Sequence, residues 1–245
     1  EEVLRHVTEQ LRWWPVAATP AELTDGLLPL SHTPLGPLAD ARTLAQIPLR
    51  DRLRELGFEF PLAGGDTRGT APEVLLRDVA GLIREHLPVD DPLRPYADRL
   101  DGSGGWSPTL GDQALRGYLS GSVDVVLRLR GDGADRFVVV DYKTNSLGEQ
   151  TAADYAPDRL AEAMLHSHYP LQAMLYSVVV HRFLRWRLPG YDPATHLGGV
   201  LYLYVRGMLG ADTPLVDGGP TGVFSWRPPA SFVLALSDLL DGCRP

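Results

Sequence analysis

The chain has almost no lysine. Among its 23 basic residues only Lys143 is not arginine, and it stands in Val138-Val139-Val140-Asp141-Tyr142-Lys143. Arginine stays charged over a rigid fork, whereas a lysine ammonium is a compact point charge whose pKa moves readily on burial. A single lysine kept two positions after an aspartate points to chemistry that needs a small, tunable cation, set against the plainer reading of compositional accident. Cysteine is as scarce. Cys243 is alone, which excludes an internal disulfide and a cysteine metal cluster, and a reducing, cytoplasmic setting is expected. No apolar run approaches the roughly 18 residues of a membrane span, so no membrane partner is expected. The chain opens at Glu1-Glu2 with no initiator methionine and no secretory signal, and a fragment of a longer polypeptide is expected.

Excess positive charge is also missing. With 31 acidic and 23 basic residues the net charge is -8. That argues against coating nucleic acid by charge alone, but not against drawing it to a confined acidic, metal-filled site. Arg50, Arg52 and Arg54, and again Arg182, Arg185 and Arg187, form basic groupings that read most simply as solvated helix faces.

What is present is enough for a sizeable core: 245 residues, 44% of them hydrophobic. Residues 1–55 read as an N-terminal helical part, with helices over 3–14, 21–28 and 38–56, the last interrupted at Pro48. Residues 56–245 carry the strands and read as the core of the chain. Within it, 55–62 alternates as a strand, with Phe58 and Phe60 on one side and Glu59 on the other. Residues 64–69 form a loop, 72–86 an amphipathic helix and 101–111 a glycine-rich connection. Residues 115–143 form a β-hairpin turning at Gly131-Asp132-Gly133-Ala134. Helices over 157–167 and 170–186, a buried strand over 198–206, a short strand over 222–226 and a closing helix over 229–240 complete the pattern.

The hairpin carries the chemistry. If the turn places Arg130 opposite Asp135, then Asp124 falls opposite Asp141, with Cβ atoms about 4.5 to 5.5 Å apart. Two such carboxylates call for a cation between them unless one is protonated. Hard oxygen ligands suit Mg²⁺ or Mn²⁺ better than zinc. Period two sets Asp141 and Lys143 on one face and Val138, Val140 and Tyr142 on the other. A one-residue bulge would move Asp124 off the pair. Gln172 and Tyr176, four apart, share a helix face. Glu59 alone reads as a solvent-facing strand glutamate; His166, His168 and His181 are candidates for phosphate or base contacts, but as isolated helix residues they read more simply as structural.

Four ordered segments resemble the PD-(D/E)xK nuclease superfamily, and within it the C-terminal nuclease domains of RecB type: Gly117–Asp124, Val140–Gly148, Tyr169–Tyr176 and His196–Val200. The resemblance implies an α/β, restriction-endonuclease-like core, a central mixed β-sheet flanked by helices with an N-terminal helical extension. It implies a Mg²⁺-dependent deoxyribonuclease (Mn²⁺ or Ca²⁺ substituting in binding) with DNA as substrate and RecC-like and RecD-like subunits as partners. Asp124 and Asp141 would be the metal-binding carboxylates and Lys143 the group that orients water and stabilises the phosphorane. Gln172 and Tyr176 match the family's Q-x-x-x-Y motif, and Glu59 its early-strand glutamate. The family's upstream Gly-Thr-x-x-His motif is not found. His6, in Leu4-Arg5-His6-Val7-Thr8, lacks its glycine and threonine, and truncation just after that motif is expected. The alternatives are a standalone repair nuclease and a catalytically weak DNA-binding or docking module.

Overall fold

A computed structural model describes every residue except 15, 64–72, 106–110, 132, 150 and 244–245. The loop expected over 64–69, the start of the helix expected at Pro72, part of the glycine-rich connection and Asp132 of the hairpin turn therefore lie outside the described residues.

A five-stranded sheet organises the chain, in the order β1 (Arg52–Pro61), β2 (Tyr118–Leu129), β3 (Arg136–Lys143), β4 (Leu197–Tyr204), β7 (Val223–Trp226). The short strands β5 (Leu215–Val216) and β6 (Gly219–Pro220) form a separate ribbon. All neighbouring pairs in the main sheet are antiparallel except β3 and β4. A parallel pair requires a crossover, and here it contains α5 (Pro157–Leu165), α6 (Tyr169–Arg187) and α7 (Pro193–His196). The hairpin pairs Val125 with Val140 and Leu129 with Arg136, the register expected from its turn.

Both faces of the sheet are covered. On one lie α3 (Leu76–His86), α4 (Tyr96–Asp101), α5, α6 and α8 (Ala230–Leu240), whose apolar residues join Val123, Val126, Val139, Val200 and Tyr202 in one core. The helix α4 was not expected. The central element is α6, which buries residues around most of its circumference, from Ala173 and Met174 to His181 and Leu184. The β-branched run Val178-Val179-Val180 is a weak helix former, and burial overrides it.

The opposite face corrects an expectation. Residues 38–56 do not form an interrupted α-helix. Beyond α1 (Glu2–Leu11) and α2 (Pro20–Leu27) the chain runs through 3-10 turns at Pro29–His32, Pro37–Ala39, Leu44–Gln46 and Leu49–Asp51, and β1 begins at Arg52. Prolines 29, 34, 37 and 48 each remove a backbone donor, so no long helix can propagate. The turns instead place Leu35, Ala39, Leu44 and Ile47 against Val125, Leu127, Val138, Val140 and Leu201. Arg52 fastens them, donating from Nε to the Ile47 carbonyl at 3.0 Å and from Nη2 to the Leu44 carbonyl. Asp51, 4% exposed, accepts from Arg128 and Arg130, and the Arg130 hydrogen bond holds its carboxyl below the usual carboxylate range. Among the described residues, no helix is long and apolar enough to cross a membrane.

Candidate active site

Strand alternation on β3 sends Val138 and Val140 into the core beneath the 3-10 turns and Val139 into the helix-side core. Asp141 and Lys143, in phase with Val139, therefore face α6, while Tyr142 emerges 40% exposed on the other side. Asp141 is 3% exposed and its Oδ2 rests against the Lys143 ammonium. Lys143 Nζ donates to Gln172 Oε1 at 3.1 Å. It also lies 4.1 Å from the centre of the Tyr169 ring and 5.0 Å from that of Tyr202, a cation–π seat with two walls.

From Gln172 a hydrogen-bond relay runs back to β2. Gln172 Nε2 donates to Tyr176 Oη at 2.9 Å, and Tyr176 Oη donates to the Ser122 carbonyl at 2.9 Å. Tyr202, opposite Asp141 in the parallel ladder, donates to Gln172 Oε1 at 3.0 Å. The helical i, i+4 spacing of Gln172 and Tyr176 is what lets one amide serve a strand on either side. Gln172, Tyr176, Asp141 and Lys143 thus come together. Tyr169, Tyr202 and Ser122 were not foreseen; adjacency to Pro170-Leu171-Gln172 was the one available signal, and only for Tyr169.

Asp124 is reached differently from the expectation. The paired register ends at Val125 and Val140, so Asp124 and Asp141 are not ladder partners. Val123 and Val126, three apart, both belong to the helix-side core, so the alternation of β2 slips by one residue between them. Opposite the slip, Glu55 takes a left-handed backbone, φ 50°. Asp124 Oδ2 accepts the Tyr142 backbone N–H at 3.0 Å, which anchors its carboxylate to β3 beside Asp141. The β1–β2 pairing keeps one register on both sides of this point, so no residue is inserted, and the local change of phase re-aims the Asp124 side chain. Glu55 joins Asp124, Arg52, Arg54 and Tyr142 in lining a cleft of about 890 Å³.

Burial, before anything else, raises the Asp141 pKa; Lys143 opposes that shift and the Asp124 charge adds to it. The same two carboxylates add to the burial that raises Tyr176. Asp141 Oδ2 is buried, and the Lys143 ammonium is the cation against it. A desolvated carboxylate beside a second carboxylate fits a hard divalent cation. No group of three or more His, Cys, Asp or Glu side chains suited to a metal occurs among the described residues.

The remaining residues stand apart. Glu59 is exposed on the side of β1 away from Phe58, whose ring meets Tyr176 edge-on at 6.1 Å, and among the described residues no hydrogen bond or ion pair joins it to the cluster. His6 is exposed on α1 near Glu2 and Glu9. His168 meets Tyr96 Oη at 2.8 Å and His181 meets Tyr191 Oη at 2.9 Å, and both are structural; His166 is exposed beside Glu162.

A mixed sheet carrying Asp124 on one strand and Asp-x-Lys on the next is the framework of a metal-assisted nuclease. The chain matches the PD-(D/E)XK nuclease superfamily over residues 26–219 and belongs to it. It is 62% identical over 247 residues to RecBCD enzyme subunit RecB of Mycobacterium tuberculosis and 60% over 248 residues to that of Mycolicibacterium smegmatis, covering 99% and 100% of this chain. To the subunit of Escherichia coli K12 it is 30% identical over 231 residues, 94% of the chain. The chain spans about a fifth of the length of the two mycobacterial relatives, 22% of each.

Proposed function

We propose that the chain is the nuclease part of a RecB-type helicase-nuclease, hydrolysing DNA phosphodiester bonds in double-strand break repair and recombination. It would work in the cytoplasm, with DNA as substrate and RecC-like and RecD-like subunits as partners. The observation that supports this most is the relay Asp141–Lys143–Gln172–Tyr176–Ser122, with Asp124 tied to the same strand.

Asp124 and Asp141 would hold the cation, Mg²⁺ in this reading. Bound there, such an ion supplies Lewis-acid polarisation of a phosphate oxygen and a more acidic water. The chain's own groups do the rest. An ammonium has three donors; Asp141 and Gln172 engage two directions, and the remaining donor is the group for the attacking water or the charge growing on the phosphorane. Because Tyr169 and Tyr202 wall the ammonium, it needs no reorganisation as charge develops, which is where electrostatic catalysis gains most. Gln172 and Tyr176 keep β2, β3 and α6 in one geometry.

The test is a nuclease assay on linear duplex and single-stranded DNA, with and without Mg²⁺, beside a Mg²⁺ titration by calorimetry. Cleavage that needs Mg²⁺ and disappears in Asp141→Ala is expected. Metal binding without cleavage in any length of the chain, or equal cleavage by Asp141→Ala, overturns the assignment.

A further inference from the structure

Behind the Tyr169 ring that seats Lys143 lies a cavity of about 570 Å³, lined among others by Asn145, Arg159, Glu162, His166, Tyr169 and Tyr204. The volume is within the roughly 300–1,000 Å³ of small-ligand sites. Its position is specific: Tyr169 forms part of the cavity wall and also lies 4.1 Å from the Lys143 ammonium. Whatever occupies the cavity is therefore separated from the catalytic cation by one aromatic ring.

The lining has the chemistry of a nucleotide. Tyr169 and His166 offer π-faces, and Arg159 offers a guanidinium that it shares with Glu162. The Tyr169 hydroxyl donates to Asn145 Oδ1 at 3.1 Å, which leaves the Asn145 amide nitrogen to donate elsewhere. The acids in the wall are engaged. Asp154 accepts from the backbone N–H of Thr151 at 2.9 Å and from its hydroxyl at 2.7 Å, and Glu162 sits 3.3 Å from Arg159 and 3.8 Å from His166. The wall is also held in place. Buried Tyr155 receives the Leu147 N–H at 3.1 Å and donates to the Asn145 carbonyl at 3.2 Å. At Gly148, φ 49°, an added Cβ would lie 2.1 Å from Asp154 Oδ1, so only glycine lets the loop close on that acid.

We infer that this cavity is a subsite for one unpaired nucleotide of a DNA strand, next to the phosphate being cut; the inference rests on the nuclease reading of the adjacent site. A base cannot enter a concave wall without leaving its stack, so the subsite selects single-stranded DNA. Base stacking on aromatic side chains with a cation nearby is the usual sequence-tolerant means of holding such strands.

The experiment measures binding of a short 5′-labelled oligothymidylate by fluorescence anisotropy in EDTA, so that no hydrolysis intervenes. Arg159→Ala combined with His166→Ala is expected to weaken binding about tenfold. Both side chains are mostly exposed, 63% and 70%, so the melting midpoint should not move. In the unmodified chain, an oligonucleotide carrying 4-thiothymidine is expected to cross-link within residues 157–169. Equal affinity of the double variant, cross-links confined to other segments, or no binding by the parent overturns the subsite. A parent that cleaves DNA alongside a variant that binds and cleaves as well as the parent leaves the nuclease reading standing and removes the subsite. A parent that binds and cross-links at 157–169, while neither it nor a chain extended upstream cleaves, keeps the cavity as a strand-binding site and removes both the hydrolytic reading and the place beside a cut phosphate.

Discussion

Lys143 on β3 donates to Gln172 on α6 across 3.1 Å, and this one bond ties the strand that carries Asp141 to the longest of the described helices. The ammonium cannot move without dragging an amide that Tyr176 and Tyr202 also hold. Its seat is shaped for a compact charge. Lys143→Arg should therefore fail to rescue function, since a planar guanidinium does not fit between Tyr169, Tyr202 and the Asp141 carboxylate. Both Lys143→Ala and Lys143→Arg are expected to lower kcat about 10²- to 10³-fold, the range for loss of one preorganised donor. KM should change little. Steady-state cleavage of a labelled strand checks the split, and wild-type kcat in Lys143→Arg would contradict it.

Tyr176→Phe removes the donor to the Ser122 carbonyl and the acceptor of Gln172 Nε2 together. Leaving such groups unpaired costs about 1–3 kcal/mol when they are buried, and this site is only partly so. A loss near the lower end is expected in urea unfolding, with a fall in kcat because Gln172 loses one of its tethers. An unchanged unfolding midpoint would show that the relay contributes nothing to the fold.

Gly121 links packing to the site. A Cβ there would stand 2.9 Å from Phe58 Cζ, and the Phe58 ring meets Tyr176 edge-on. Gly121→Ala must therefore push Phe58 toward the relay or tilt it off its packing. Overpacking of this kind typically costs about 1–3 kcal/mol. The expected result is a lower melting midpoint and reduced kcat, both restored in part by adding Phe58→Leu, which frees space. Failure of the second change to help would place the strain elsewhere.

How far these features could be read in advance depended on their range. The hairpin register, Asp141 and Lys143 on one face, and Gln172 with Tyr176 on α6 follow from periods of two and 3.6, which are local. The slip at Asp124 was not legible, because it lies opposite Glu55 on β1, which turns left-handed, and nothing in Gly121-Ser122-Val123-Asp124 announces a partner's irregularity. Tyr202 was visible only as part of a buried strand, since its place beside Asp141 is set by a parallel ladder across a crossover. The segment after α2 was misread as helix because its apolar spacing resembled one, while its prolines carried the stronger instruction. Glu59 illustrates the opposite limit: motif position put it at the edge of the site, and its strand phase turns it away from Tyr176.

Acid should weaken the fold through His181. It is 2% exposed, hydrogen-bonded to Tyr191, and pushed down to about 4, first by burial and then by Arg185 and Arg182, with Asp238 opposing. A histidine in the unfolded chain titrates near 6.5. Between these values the unfolded chain binds the proton and the folded chain does not, so stability falls as the pH drops. His181 therefore contributes fully above about pH 6.5, and its contribution is lost on the way down through about pH 4. The full span is on the order of 3 kcal/mol. Asp51 acts in a lower window, since its folded pKa lies below the carboxylate range and its contribution disappears only as the pH falls through that value. Urea unfolding of the parent and of His181→Phe at intervals from pH 7.5 to 4.5 separates the two. The parent should lose stability across that range, and the variant, lower at pH 7.5 because Tyr191 Oη loses its partner, should show a flatter profile. Parallel profiles would mean that His181 is already protonated in the folded chain, and the neutral, buried imidazole would have to be abandoned.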